Sequence, residues 1–160
     1  AGAVGSLMVQ LCHHLGAEVS ASCRFDNCDY VAGLGATRAF AYDRSQQLDQ
    51  VRAQDVVFDL IGGATHALSY SMLRKGGRLV CLTAAPFVDR GDAFGVLVTR
   101  AQIADSPRVL AAVAKLAAQG ILQPRVAGVF PLAETALAHA ALEQGRVTRG
   151  RLVIDIGEMI

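Results

Sequence analysis

Two short apolar runs, residues 55–61 (Asp-Val-Val-Phe-Asp-Leu-Ile) and 78–83 (Arg-Leu-Val-Cys-Leu-Thr), limit the fold of this chain more than any other feature. The first is nearly continuous, holds β-branched residues and stops at Gly62-Gly63, the pattern of a strand buried on both faces. Between the two runs, residues 64–73 read as a helix and Lys75-Gly76-Gly77 as a turn. Strand, helix and strand in that order predict a parallel βαβ unit.

The same alternation extends along the chain. Val4, Met8, Leu11 and Leu15 recur at spacings of four, three and four, one face of a helix that Gly16 closes. Residues 18–23 are extended, and Asp26 stands at an N-cap position before a helix running to Leu34, with Gly35 beyond it. Residues 38–42 form a further strand and residues 43–54 a polar loop with a short helix. Gly95 to Thr99 is a short apolar strand, and Pro107 opens a helix carrying Val109, Leu110, Val113, Leu116 and Ala117. A final strand, helix and strand occupy 125–130, 132–144 and 151–156. The expected class is α/β, a doubly wound parallel sheet, and no internal repeat or low-complexity linker interrupts it.

Composition narrows the function classes. The chain is 52% hydrophobic and 18% charged, enough apolar matter for a core and too little charge for disorder. Fifteen basic and fourteen acidic residues are interleaved, which argues against a nucleic-acid partner. Charges or glycines break every apolar run before the roughly 18 residues a membrane span needs. The chain does not open with a basic segment followed by an apolar one, as a secretory signal would. Cys12, Cys23, Cys28 and Cys81 lack the spacing of a zinc knuckle and read as free buried thiols of a cytoplasmic protein. His13 and His14 are neighbours on a helix and point roughly 100° apart, so no metal site is expected there.

The start, Ala1-Gly2-Ala3-Val4-Gly5-Ser6, runs straight into the first helix. Gly2 and Gly5 fit the second and third glycines of a G-x-G-x-x-G loop, whose backbone approaches a pyrophosphate at a helix N-terminus. About 20 residues on, where such folds read the ribose, stands Ser22-Cys23-Arg24. A cation there favours NADPH and a carboxylate NADH; Arg24 lies nearer the strand end than Asp26, so NADPH is expected. A dinucleotide fold also needs an apolar strand before its first glycine. Residues upstream of Ala1 are therefore expected in the folded molecule. Asp59 is expected to satisfy backbone donors at its strand end rather than to act as a catalytic acid.

Taken together, AGAVGSLMVQLCHHLGAEV, YVAGLGATRAFAYD, DVVFDLIGG, LRKGGRLVCLT and VFPLAETALAHAALEQGRVTRGRLVIDI resemble the medium-chain dehydrogenase/reductases. Within them the chain is most similar to the zinc-free quinone oxidoreductase (zeta-crystallin-like) branch. The resemblance implies a Rossmann domain over residues 1–122, its first strand absent from this chain. It further implies that residues 123–160 return to a GroES-like catalytic domain. Gly2, Ala3, Val4 and Gly5 match the pyrophosphate loop, and Ser22 and Arg24 the end of the second strand. Asn27 stands where many members carry a lysine for the 2′-phosphate, a departure that Arg24 would have to make good. Tyr42 matches a tyrosine beside that phosphate. Ile61, Gly62, Thr83, Ala85 and Phe87 match the loops flanking the nicotinamide half, and Thr148 and Arg149 a C-terminal segment that reaches back to the cofactor.

The function so implied is NADPH-dependent hydride transfer to a quinone or an α,β-unsaturated carbonyl, a small-molecule substrate. No catalytic residue is assigned, since a general acid would lie upstream of Ala1. A zinc-dependent alcohol dehydrogenase, an enoyl reductase domain and a non-catalytic NADPH-binding module remain alternatives. If Gly95 to Thr99 is the sheet's edge strand, a homodimer through that edge is expected.

Overall fold

Helix α1 (Ala3–His14) follows at once on Gly2, and Gly16 ends it with φ +80°. Its buried face is Ser6, Val9 and Gln10, whereas Val4 and Leu15 are exposed, so the apolar stripe read from the sequence is not the face that packs. Gln10 is buried because its amide is fully used. Its Nε2 donates to the carbonyls of Ser6 (3.1 Å) and Gln123 (3.3 Å), and its Oε1 accepts from the Gln123 amide (2.7 Å).

Strands β1 (Ser20–Cys23) and β2 (Arg38–Ala41) pair in parallel, with Ser20 opposite Arg38 and Cys23 opposite Ala41. Between them lie a 3₁₀ turn (Phe25–Asn27) and helix α2 (Cys28–Gly33). Asp26 is thus inside the turn and exposed, not the N-cap of a longer helix. The ring of His13 lies over Gly35, where a Cβ would come within 2.4 Å of its Cγ.

Strands β3 (Gln54–Asp59), β4 (Leu73–Cys81) and β5 (Leu97–Arg100) form a parallel sheet in that order, with β5 at one edge. Helices α3 (Ala64–Met72) and α4 (Gly91–Phe94) make the connections. The expected turn at Lys75-Gly76-Gly77 is a bulge within β4. Gln54 pairs with Leu73 and Val56 with Arg78, so β4 advances five residues while β3 advances two. Gly76 takes φ +72°, and a Cβ on Gly77 would sit 2.9 Å from the Arg74 carbonyl. Strand β3 is not buried on both faces either. Val57 and Asp59 face the core under α3, while Val56 and Phe58 are 44% and 40% exposed.

Helix α5 (Pro107–Ala118) is followed by β6 (Val126–Pro131), α6 (Thr135–Glu143) and β7 (Arg151–Asp155). The last two strands again pair in parallel. The computed structural model describes residues 1–44, 47–82, 87–102 and 106–157. The chain divides into two compact units, Ala1–Asp43 with Leu110–Ile160, and Arg44–Val109. The first has a core of Val9, Cys23, Val31 and Ala36; the second is built on Tyr70, Leu79, Cys81 and Val96. Of the four free thiols, Cys23 and Cys81 are buried and Cys12 and Cys28 half-buried. Among the described residues no helix is long and apolar enough to cross a membrane.

Candidate functional site

In the first unit, Gly2 precedes α1 with extended backbone (φ −68°, ψ 179°) and no side chain caps the helix. The first turn holds no acidic residue. A Cβ at Gly2 would meet no protein atom within 4 Å. Ala3, Val4 and Gly5 therefore form an open helix start whose amides have no carbonyl within the helix to bond, a seat suited to an anion.

A second segment is tied to this start. Gly150, at φ +74°, bridges Gly2 in parallel, its amide donating to the Ala1 carbonyl at 3.3 Å. Gly150 cannot be another residue without rearrangement, since a Cβ would fall 2.2 Å from the Arg125 carbonyl oxygen. The preceding residues reach the end of β1. Asn27 Nδ2 donates to the Thr148 carbonyl (3.4 Å), and Arg149 Nε donates to Asn27 Oδ1 (2.5 Å). Arg149 Nη2 also donates to the Asp26 carbonyl, and the guanidinium lies 5.2 Å from the centre of the Tyr30 ring. Asn27, buried, is thus the anchor of Arg149.

Ser22 and Arg24 are exposed at the end of β1. Tyr42, 54% exposed, donates its backbone amide to the Cys23 carbonyl (3.0 Å). Gly2 to Gly5, Ser22, Arg24, Tyr42, Thr148 and Arg149 all belong to the first unit. Thr83 and Ala85 lie outside the described residues.

The second unit holds Ile61, Gly62 and Phe87. Asp59, buried, does what its strand-end position predicts. Its Oδ1 accepts the amides of Ile61 (3.0 Å) and Gly62 (2.9 Å). Its Oδ2 pairs with His66 Nδ1 at 3.0 Å, and His66 Nε2 lies 3.0 Å from the Tyr70 hydroxyl. That hydroxyl oxygen accepts the Arg90 amide at 3.1 Å. With the carboxylate as acceptor, His66 Nδ1 donates to Asp59 Oδ2, and the Tyr70 hydroxyl also lies 3.5 Å from the Val88 carbonyl. A carboxylate, an imidazole and a phenol thereby join the loop after β3 to the segment before α4. A cavity of about 200 Å³ opens beside them, lined by Gly63, His66, Tyr70, Phe87 and Arg90.

The role of Asn27 as an anchor, and of His66 and Tyr70 in this network, is not evident from the sequence pattern. His66 and Tyr70 stand four apart on α3, the spacing that places two side chains on one helix face. That was the available signal.

One trio of metal-ligating types occurs among the described residues. Single donor atoms of Asp59, His66 and Cys81 lie within 4.8 Å of one another. All three are buried and engaged, with Cys81 Sγ 3.7 Å from His66 Nδ1. Burial, and then the Asp59 charge, push the Cys81 thiol's pKa up and keep it protonated. The trio fits a hydrogen-bonded core better than an ion.

A family profile described as zinc-binding dehydrogenase matches residues 34–154. The chain is 32% identical over 158 residues to the chloroplastic NADPH-dependent alkenal/one oxidoreductase of Arabidopsis thaliana, covering 96% of this chain and 38% of that protein. It superposes on the quinone oxidoreductase of Coxiella burnetii with a TM-score of 0.85 at 27% identity, covering 98% of this chain and 50% of the other. A mycobacterial protein solved in complex with NADPH gives 0.82 at 26% identity, over 96% and 53%. The chain spans about half the length of these relatives or less. With parallel βαβ units, an open glycine start to α1 and a profile match over most of its length, the chain belongs to the zinc-binding dehydrogenase family of the medium-chain dehydrogenase/reductase superfamily.

Proposed function

We propose that this chain is the cofactor-binding part of an NADPH-dependent reductase of quinones or α,β-unsaturated carbonyls. The observation that carries the reading is the uncapped start of α1, with Thr148 and Arg149 tied beside it to Asn27. The names of the Arabidopsis and Coxiella relatives support the substrate class, and the mycobacterial complex supports the cofactor. The amides of Ala3 to Gly5 hold the pyrophosphate. Arg24 supplies the 2′-phosphate cation that Asn27 lacks, with Ser22 and Tyr42 beside it. Arg149, clamped by Asn27 and Asp26, fixes the segment that closes over the adenosine end. Ile61, Gly62, Thr83, Ala85 and Phe87 are proposed as contacts of the nicotinamide half on the resemblance alone. The nicotinamide supplies the hydride when bound; the protein orients it.

The proposal extends to the rest of the polypeptide. Residues 123–160 return to a GroES-like catalytic domain whose remainder precedes Ala1, and two copies pair through the edge of β5.

The test is a titration of the full polypeptide with NADPH and with NADH, followed by fluorescence; this segment contains no tryptophan to add background. NADPH should bind at least about tenfold tighter, ~1.4 kcal/mol, and Arg24→Ala should remove most of that preference. Equal affinities would transfer the ribose to Asp26 and reopen the alcohol-dehydrogenase branch. Binding of NADPH with no turnover of simple quinones or enones would leave a cofactor-binding module.

A further inference from the structure

Cys23 ends β1 and Cys28 opens α2, and their Sγ atoms lie 3.7 Å apart in a thiol–thiol hydrogen bond. The four residues between them are Arg24, Phe25, Asp26 and Asn27. Two of these, Asp26 and Asn27, hold Arg149, and Arg24 is the proposed 2′-phosphate cation. A pair of thiols in contact across the loop that reads the cofactor is a built-in place for a covalent change.

We propose that Cys23 and Cys28 are a reversible disulfide-forming pair, and that closing the bond weakens NADPH binding. The second half of this inference rests on the proposed function; the first does not.

The two sulfurs are not equivalent. Cys28 is half-buried, with its thiol 3.9 Å from the Arg24 carbonyl, while Cys23 is 2% exposed. Burial, and then the hydrogen bond shared with Cys28, push the Cys23 thiol up to about 11. Attack on an oxidant therefore falls to Cys28, since the thiolate is the reactive form and the oxidant must reach it. With hydrogen peroxide, the Cys28 sulfur attacks one oxygen, the O–O bond breaks, and Cys28 sulfenic acid and one water form. The Cys23 sulfur then attacks the sulfenic sulfur, the S–O bond breaks, and the hydroxyl leaves as a second water with the Cys23 proton. Two thiols lose two protons and two electrons, and one peroxide becomes two waters.

A disulfide needs a sulfur separation of about 2 Å, so the thiols must close by roughly 1.7 Å from their 3.7 Å contact. The 3₁₀ turn from Phe25 to Asn27 lies inside the closed ring and must shift with them. Arg24 and the two acceptors of Arg149 move in the same step, which takes the Arg24 guanidinium away from the place proposed for the 2′-phosphate and loosens the segment that Arg149 fixes.

The experiment uses the full polypeptide, reduced, treated with a modest excess of hydrogen peroxide and divided between mass spectrometry and NADPH titration. Expected are a loss of about 2 Da on the peptide joining Cys23 to Cys28, with Cys12 and Cys81 still open to alkylation after denaturation. NADPH affinity should fall at least about tenfold and return with dithiothreitol, and NADH affinity should change less. Cys28→Ser should show no mass loss and keep its own NADPH affinity through the treatment. Oxidation at Cys12 or Cys81 with the pair untouched overturns the disulfide. A disulfide that leaves NADPH affinity unchanged overturns the coupling. A reduced protein that binds no NADPH at all, yet still forms the bond, overturns the proposed function and leaves the disulfide standing.

Discussion

The Tyr70 hydroxyl lies 3.0 Å from His66 Nε2 and 3.5 Å from the Val88 carbonyl, and it accepts the Arg90 amide. Tyr70→Phe keeps the ring, its 5.1 Å stack on Phe94 and the volume, and removes only the oxygen. Buried His66 Nε2 and the part-buried Arg90 amide would then each lose a partner, at a cost of about 1–3 kcal/mol. Urea unfolding should register that loss as a lower midpoint with an unchanged slope; a shift within about 0.5 kcal/mol would mean that the phenol does not link His66 to the Arg90 amide. At this scale the sequence was legible where chemistry is local. Asp59 bonds amides two and three residues on, as its strand-end position predicts. Gln10 was illegible, because the amide that buries it belongs to a residue 113 positions away.

The elements themselves were largely readable, since helix and strand periods are local properties of the chain. Their covered faces were not. Nothing within β3 says that Val56 and Phe58 stay 44% and 40% exposed, because that depends on what packs against the sheet. The bulge in β4 escaped for a related reason: a Gly-Gly pair reads as a turn unless a neighbouring strand continues past it. Glycine positions supply the sharpest test of the cofactor site. Gly150→Ala places a Cβ 2.2 Å from the Arg125 carbonyl at φ +74°, so the bridge to Gly2 must break. Stability should fall by more than about 1 kcal/mol, and NADPH affinity with it. Gly2→Ala meets no protein atom and has an ordinary φ of −68°. It should unfold as the parent does and still lose NADPH affinity, since its methyl group occupies the place proposed for the pyrophosphate. Thermal melts beside NADPH titrations check both; a Gly2→Ala protein that binds normally would remove the pyrophosphate from this helix start.

β5 lies at an edge of its sheet with Leu97 57% exposed, and an exposed edge is a template for pairing. Light scattering of the full polypeptide at micromolar concentration should give a dimer, and Leu97→Lys should shift it toward monomer. A monomeric parent would remove the proposed contact.

The amino-acid sequence by itself determined the alternation of strands and helices, the parallel pairing that this alternation demands, the glycines that end elements and the family. The alternation, the pairing and the element ends follow from backbone preference and from apolar spacing within about a dozen residues; the family follows from the likeness of whole segments to known members. Only the tertiary structure decided which face of α1 is covered, that Asn27 spends its side chain on Arg149 122 residues away, and that two cysteines share a hydrogen bond. Those outcomes depend on atoms brought together by chain closure, and no local period encodes which distant partner a polar group will meet.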